Sequence, residues 1–463
     1  MQHAVLTLLT IVAQQQQQLV QLQVRVADLE TRLNQHSQNS SKPPSSDPPS
    51  APPRPTRPAR GRKPGGQPGH PRHERPEPNP DQIDTVRDHH PTVCAHCQEV
   101  LAPSLRDACA VRTQYVWELP QVRPHITAHH YHTVCCPTCG TLVTAHRPLD
   151  VPPGSFGPQT AATVALLHGR YRISDRETPA LLHDLFGLPI SLGSVIDLQQ
   201  TVSSALAPVY TALQTAIQQQ AHVHMDETGW KEAGKRRWLW VVVSTIATLY
   251  HVATGRSGKV ITSLLSDTFS GLVSSDRLKT YRALPPERRQ ICWSHLRRNL
   301  LAFYERDGPL GGWAADMLAQ LDIVFALWHT FRDGQIDRAM LVASMQPVQA
   351  TMHAILERGR RRYDQAQGLS DELLNLWPAL WTFVTVEGVE PTNNAAERAL
   401  RPAVLWRKGC FGAQSAAGNT FVERILSVSA TCRQHNRHLR TFLTEAVAAY
   451  WAGQPAPTLL STP

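Results

Sequence analysis

No long hydrophobic run stands out in this sequence. The apolar stretch from Ala4 to Ala13 is too short to span a bilayer, and no cationic segment precedes it. Neither a transmembrane anchor nor a secretory leader is therefore expected. Acids are in the minority: 37 Asp and Glu against 46 Lys and Arg leave a formal charge of +9. That balance favours a polyanionic partner, nucleic acid or an acidic membrane surface. A disulfide framework is also missing. The nine cysteines are unevenly placed, six of them between Cys94 and Cys139, and two pairs have C-x-x-C spacing. That arrangement suits a metal site in a reducing cytosol. No serine or tyrosine constellation suggests a covalent protein–substrate intermediate. The chain has 463 residues, too many for one compact core, so several modules are expected.

Read in sevens, Val5, Leu8, Val12, Leu19, Leu22, Val26, Leu29 and Leu33 alternate between a and d positions, with only Gln15 interrupting. Residues 1–36 thus read as a coiled-coil helix that brings copies of the chain together, or as a lone amphipathic helix. Residues 37–82 are rich in proline and basic and cannot pack a core. There "GRKPGGQPGH", with Arg60, Arg62 and Lys63, reads as an arm able to follow a phosphate backbone, or as a solvated linker. Residues 83–150 hold "CAHC" (Cys94, Cys97) and "CPTCG" (Cys136, Cys139). Two such knuckles complete a four-thiolate structural site for one Zn²⁺, a zinc ribbon. Between them "RTQYVWELP" alternates like a half-buried strand. Residues 151–220 read as helices. A break at Gly187 to Pro189, followed by a cap at Ser191 or Ser194, has the outline of a helix-turn-helix. Plain helix packing gives the same pattern.

Residues 221–299 begin with "HVHMDETGW", a strand expected to end on Asp226. Parity puts His222, His224 and Asp226 on one face and turns Glu227 away, which leaves Glu227 as a helper. "RRWLWVVVS" and "ATLYHVA" continue a strand meander, and a helix is expected from Lys259 to Leu265. "GLVSSD" then forms a short strand ending on Asp276, which either delivers a second carboxylate to the same edge or caps the next helix. Residues 300–390 read as helical. In residues 391–455, Asn394-x-x-Glu397 fits a capping box, with Arg401 placed to pair with Glu397. Alternatively Glu397 faces the sheet edge as a third oxygen ligand, and spacing does not decide. His295, in "CWSHLRRNL", either contacts a bound phosphate or packs as an ordinary histidine. Cys292 and His295 alone are only a C-x-x-H fragment. Arg297, Arg298, Asn393, Asn394, Arg398, Arg401, Arg407 and Lys408 are candidate phosphate contacts, and Asn394 is a further possible helper at the site. Most tryptophans are expected in the core; Trp230 is the exception, being next to the metal strand. Residues 456–463 form a tail.

The ordered set "MDETGW", "SSDRLKTY", "ICWSHLRRNL", "NNAAERALRP" and "RKGCFG" resembles the transposases of the insertion-sequence-66 type. So do the coiled coil, "SSKPPSSD", "GRKPGGQPGH" and the paired knuckles, so the resemblance covers nearly the whole chain in order. It implies a multidomain α/β protein with a ribonuclease-H-like catalytic core interrupted by a helical insertion. It also implies a DDE transposase with the triad Asp226, Asp276 and Glu397. Such an enzyme is expected to use two Mg²⁺ (or Mn²⁺) ions to cleave transposon ends and transfer the freed 3′-hydroxyl to target DNA. DNA, a second copy of the chain and accessory proteins of the same element are the implied partners. A bacterial cytoplasmic, nucleoid-associated location is expected. The rival is a zinc-containing DNA-binding protein of the transposon without catalysis.

Overall fold

The structure is a computed structural model that describes residues 77–101, 113–305 and 308–460, together with Gln15, Gln18, Leu22, Arg25 and Val26. Those five N-terminal residues are helical, and Leu22 and Val26 are exposed. The rest of the heptad pattern lies outside the described residues, as does the arm with Arg60, Arg62 and Lys63. The chain divides into two units, Pro52–Arg123 and the remainder.

In the smaller unit an isolated bridge, Val93 to Val100, closes a turn around Cys94 and Cys97. The expected strand in "RTQYVWELP" is not formed: residues 113–123 have no strand partner among the described residues, and Val116, Trp117 and Leu119 are exposed. Alternation predicts a strand only where a neighbour supplies hydrogen bonds and a surface to bury one face.

In the larger unit, β1 (Thr133–Cys135) and β2 (Leu142–Thr144) make an antiparallel hairpin whose turn carries Cys136 and Cys139. Helices α1 (Pro158–Gly169), α2 (Thr178–Phe186), α3 (Leu192–Ala205) and α4 (Ala207–Gln218) follow. The break between α2 and α3 forms as expected. Gly187 takes a left-handed conformation at the end of α2, and the Ser191 hydroxyl accepts from the Ser194 amide to start α3. However, α3 buries Val195, Leu198 and Val202 and packs on α1 and on the C-terminal helices. One face of the second helix of the expected helix-turn-helix is therefore core.

A five-stranded mixed sheet is the centre of this unit. Its strands are β3 (His222–Glu232), β4 (Lys235–Val243), β5 (Thr248–Ala253), β6 (Leu272–Ser275) and β7 (Arg289–Ile291), in the order β5-β4-β3-β6-β7. The first three form an antiparallel meander; β6 and β7 run parallel to β3. Ala233 and Gly234, both at positive φ, make the two-residue turn between β3 and β4. Between β5 and β6 lies α5 (Gly258–Leu265), close to the expected span.

After β7 come α6 (Trp293–Tyr304), α7 (Pro309–Arg332), α8 (Arg338–Arg362), α9 (Asp364–Asn375) and α10 (Trp377–Thr385). They enclose a core of their own, which includes Trp313, Met317, Leu321, Met345, Met352, Leu380 and Phe383. Contrary to expectation, one helix among the described residues, α7, is long and apolar enough to cross a membrane by length and composition. Yet its Trp313, Met317, Leu321 and Val324 are buried in that core. Its Asp316 and Asp322 pair with Arg358 and Arg297. It reads as a core helix.

The chain returns to the sheet through α11 (Asn394–Cys410), α12 (Ala416–Gln434) and α13 (Leu439–Trp451). With α1, α3 and α4 they bury the main core around Val223, Met225, Trp240 and Val242. Each fully buried side chain of this size contributes roughly 1.5–3 kcal/mol. Edge strand β5 is closed by α12. Glu423, Ser427 and Thr431 accept the amides of Val252, Tyr250 and Thr248 at 2.6, 2.8 and 3.1 Å. Four helical residues rise about 6 Å, and two strand residues about 6.6 Å. Every fourth side chain therefore meets every second amide.

Candidate active site

The expected strand end at Asp226 is corrected by the structure. β3 runs on to Glu232 because its antiparallel partner β4 continues to Lys235. The parallel partner is what stops: β6 ends at Ser275, and Asp276 is the next residue. His224 pairs with Ser274, so two further residues bring Asp276 level with Asp226. Adjacent strands lie about 4.8 Å apart. The two aspartates thus stand side by side where the sheet loses its parallel neighbour.

Glu397 comes from the first turn of α11, which packs on β3 and β4. The capping box is not formed. Asn393 is the residue before the helix and makes no side-chain cap, and Glu397 is paired with neither Asn394 nor Arg401. Its Oε1 lies 3.4 Å from His295 Nδ1, and both atoms are buried without a hydrogen-bond partner.

Electrostatics show the acids sharing one environment. Burial pushes the Asp226 carboxyl well above the usual carboxylate range, and Glu227, Asp276 and Glu397 add to it. Burial also raises Glu397, with Asp276 repelling it and Arg298 and Arg398 opposing. Glu227 is pushed up to about 7 by burial and Asp276, against the pull of Arg256 and Tyr281. Its carboxylate accepts from the Arg256 guanidinium and from the Tyr281 hydroxyl, each at 3.3 Å. Burial holds His295 down at about 4, helped by Arg298, so its imidazole is neutral.

The aspartates are held by backbone amides rather than by cations. Asp226 Oδ1 accepts from the Glu227 amide at 2.9 Å. Asp276 Oδ1 accepts from the Leu278 amide at 2.8 Å in a local turn; it does not cap the next helix, Lys279–Ala283, whose first residue follows Leu278 without a side-chain cap. Neither has an ion-pair partner among the described residues. Arg289, fully buried on β7, donates to the Asp276 carbonyl at 3.2 Å. Arg277 binds Glu372 of α9 and, at 2.8 Å, Asn299; Arg282 reaches the same Glu372 at 3.1 Å.

Sequence reasoning missed what fixes α11 on the strand of Asp226. Asn393, expected on DNA, is fully buried. Its side chain donates to the Met225 carbonyl at 2.7 Å and meets His224 Nδ1 at 3.0 Å; its amide points at Cys292 Sγ, 3.2 Å away. At the other end Arg407, also expected on DNA, is spent on Thr228 and the Gly229 carbonyl. Gly412, at φ +114°, lets residues 412–413 bond alongside Lys231; a Cβ there would sit 2.2 Å from the Lys231 carbonyl oxygen. Trp230 is core, and its indole donates to Asn419 at 2.9 Å. Arg297 pairs with Asp322, while Arg398, Arg401 and Lys408 stay exposed. A glycine inside "ETGW" and another closing "RKGCFG" were the available signals, because a glycine in a strand marks close backbone approach.

These residues fit a divalent cation. Several carboxylates act on one another with no compensating cation on the aspartates. All-oxygen ligands suit a hard ion such as Mg²⁺.

The two cysteine knuckles, each taken by itself, share one geometry. The Cys94 amide donates to the Glu99 carbonyl and the Gln98 amide to the Cys94 carbonyl. The Cys136 amide donates to Thr141 and Gly140 to Cys136 in the same way. Gln98 and Gly140 both take positive φ, 62° and 68°.

Comparison with known proteins sets the class first: the chain carries a transposase-family domain. Residues 153–420 match the family model described as "Transposase IS66 family", and the chain belongs to that family. The match takes in Asp226, Asp276 and Glu397. Residues 4–76 match a "Family of unknown function (DUF6444)". An uncharacterized protein of Sinorhizobium fredii, y4hP, is 22% identical over 411 residues, 80% of this chain and 73% of its own.

Proposed function

We propose that this chain is a DDE transposase with a ribonuclease-H-like core. It cuts transposon ends and transfers the freed 3′-hydroxyl to target DNA. What supports this is that Asp226 and Asp276 stand level on adjacent strands where the parallel sheet stops, and that Asp276 and Glu397 both act electrostatically on Asp226. Mg²⁺ or Mn²⁺ held there would supply charge neutralisation on the attacking and leaving oxygens. Asp226, Asp276 and Glu397 are the residues that would hold the ions. Arg298 and Arg398, close enough to act on Glu397, draw in the DNA phosphates. In the first step a water oxygen bonds to phosphorus and the element's 3′ oxygen leaves as a hydroxyl. In the second that hydroxyl attacks a target phosphate in line, and the target's own 3′ oxygen leaves. No bond to the protein forms.

The cysteine knuckles serve structural zinc, and the N-terminal heptads pair two copies of the chain. Matching knuckle hydrogen bonds support the first; the exposed Leu22 and Val26 on a helix support the second. Purified protein should lose the fold of the knuckle segments on chelation, read by circular dichroism.

The test of catalysis is substitution by the amide. Asp226→Asn, Asp276→Asn and Glu397→Gln should each abolish Mg²⁺-dependent nicking of transposon-end DNA while gel-shift binding is retained. Variants that still cut would sink the assignment. A wild type that binds ends and never nicks them would favour a non-catalytic DNA-binding protein.

A further inference from the structure

The structure assigns a second metal site beside the acids: we propose that Cys292, His295 and Glu397 together hold a zinc ion. In sequence, Cys292 and His295 are a bare C-x-x-H, one ligand pair short of a site. The fold supplies the missing donor. Cys292 immediately precedes α6 and His295 lies in its first turn, so both side chains project from one end of that helix. Glu397 arrives from the first turn of α11. One ligand atom from each, Sγ, an imidazole nitrogen and a carboxylate oxygen, all lie within 4.8 Å of one another.

Two further observations point to an occupant. His295 Nδ1 and Glu397 Oε1 face each other at 3.4 Å, both buried and both without a hydrogen bond. Buried polar atoms left unsatisfied are costly, and an ion between these two satisfies both. The sulfur, meanwhile, has the Asn393 amide pointed at it from 3.2 Å; burial pushes the Cys292 thiol up, and this donor works against that. Sulfur, imidazole and carboxylate form a borderline-soft donor set that selects Zn²⁺ over Mg²⁺. On binding, the Cys292 S–H proton goes to solvent and a sulfur–zinc bond takes its place. Zinc so held ties the first turns of α6 and α11 together and fixes the third acid. The inference shares Glu397 with the proposed function, but zinc content is read without DNA and independently of strand transfer.

Full-length wild type, Cys292→Ser, His295→Asn and Asp226→Asn are equilibrated with Zn²⁺ in excess Mg²⁺. They are freed of unbound ion by gel filtration and assayed for zinc by atomic emission. Wild type and Asp226→Asn should carry the same zinc; Cys292→Ser and His295→Asn should each carry one equivalent fewer. With Co²⁺ in place of zinc, the wild-type minus Cys292→Ser spectrum should contain a sulfur-to-cobalt charge-transfer band. Equal zinc in wild type and in both site variants overturns the proposal and leaves a plain His295–Glu397 contact. Loss of that equivalent in Asp226→Asn overturns it too, since the zinc then lies on the aspartates. Melting curves identify a Cys292→Ser chain that fails to fold, and the half-buried His295→Asn then decides.

Discussion

Asn393 shows how much one side chain does at this site. Its amide group joins β3 to the helix of Glu397, and it is fully buried. Asn393→Ala strands the Met225 carbonyl in the interior. It should lower stability by about 2–4 kcal/mol, an unsatisfied buried acceptor plus the lost contact, visible as a drop in melting temperature. An asparagine pair at a helix start looks like exposed polar surface, so its sequence gives no hint of this burial. Glu227 is legible only as half of an acidic pair, yet it carries a pH signature. Its carboxyl is raised from 4.5 to about 7, so between those values the folded chain keeps a proton that the unfolded chain has released. That contribution is fully present below pH 4.5 and is lost as pH rises through about 7. Its side chain is 4% exposed, so little solvent screening applies. Glu227→Gln should therefore match wild type near pH 4.5 and exceed it at pH 8 by up to about 3 kcal/mol. Denaturant melts at the two pH values check it; a difference that does not vary with pH would refute it.

Elements were easier to read than their junctions. Hydrophobic periodicity located the helices, and alternation located the meander, because each depends only on neighbours in sequence. The end of β3 depends on the length of β4, and the packing of α3 depends on helices more than 200 residues away, as Arg424's bond to the Ser203 carbonyl illustrates. No local pattern carries that information. "RTQYVWELP" failed for the converse reason: it has the alternation but no partner. The closure of edge strand β5 by α12 is likewise invisible in sequence, since Glu423, Ser427 and Thr431 read as an ordinary polar stripe. Ser427→Ala leaves the Tyr250 amide buried and unpaired. It should cost about 1–3 kcal/mol and speed hydrogen exchange at Tyr250 more than at strand β4.

At the scale of the whole molecule, the sheet and the helical insertion have separate cores. The acids lie where the two meet. Glu372 of α9 is the most direct tie. It holds Arg277, the residue after Asp276, and Arg282, at the end of the following turn. Arg277 is 13% exposed and Glu372 19%, so this pairing is shielded from salt far better than a surface bridge. Movement of α9 is thus transmitted to the loop that aims Asp276. Glu372→Gln keeps the shape of the side chain and removes the charge that both arginines answer. The loop then loses its Glu372 ion pairs, keeping the Asn299 and Arg289 contacts, while Asp226 and Glu397 keep theirs through Asn393 and Arg407. The half-saturating Mg²⁺ concentration for end cleavage should rise about 3- to 10-fold, equivalent to roughly 0.7–1.4 kcal/mol. Gel-shift affinity for transposon ends, measured without divalent ions, should stay unchanged. A variant that loses DNA binding and metal response together would show that Glu372 only stabilises the insertion, whereas an unchanged Mg²⁺ requirement would show that Asp276 is aimed by the sheet alone.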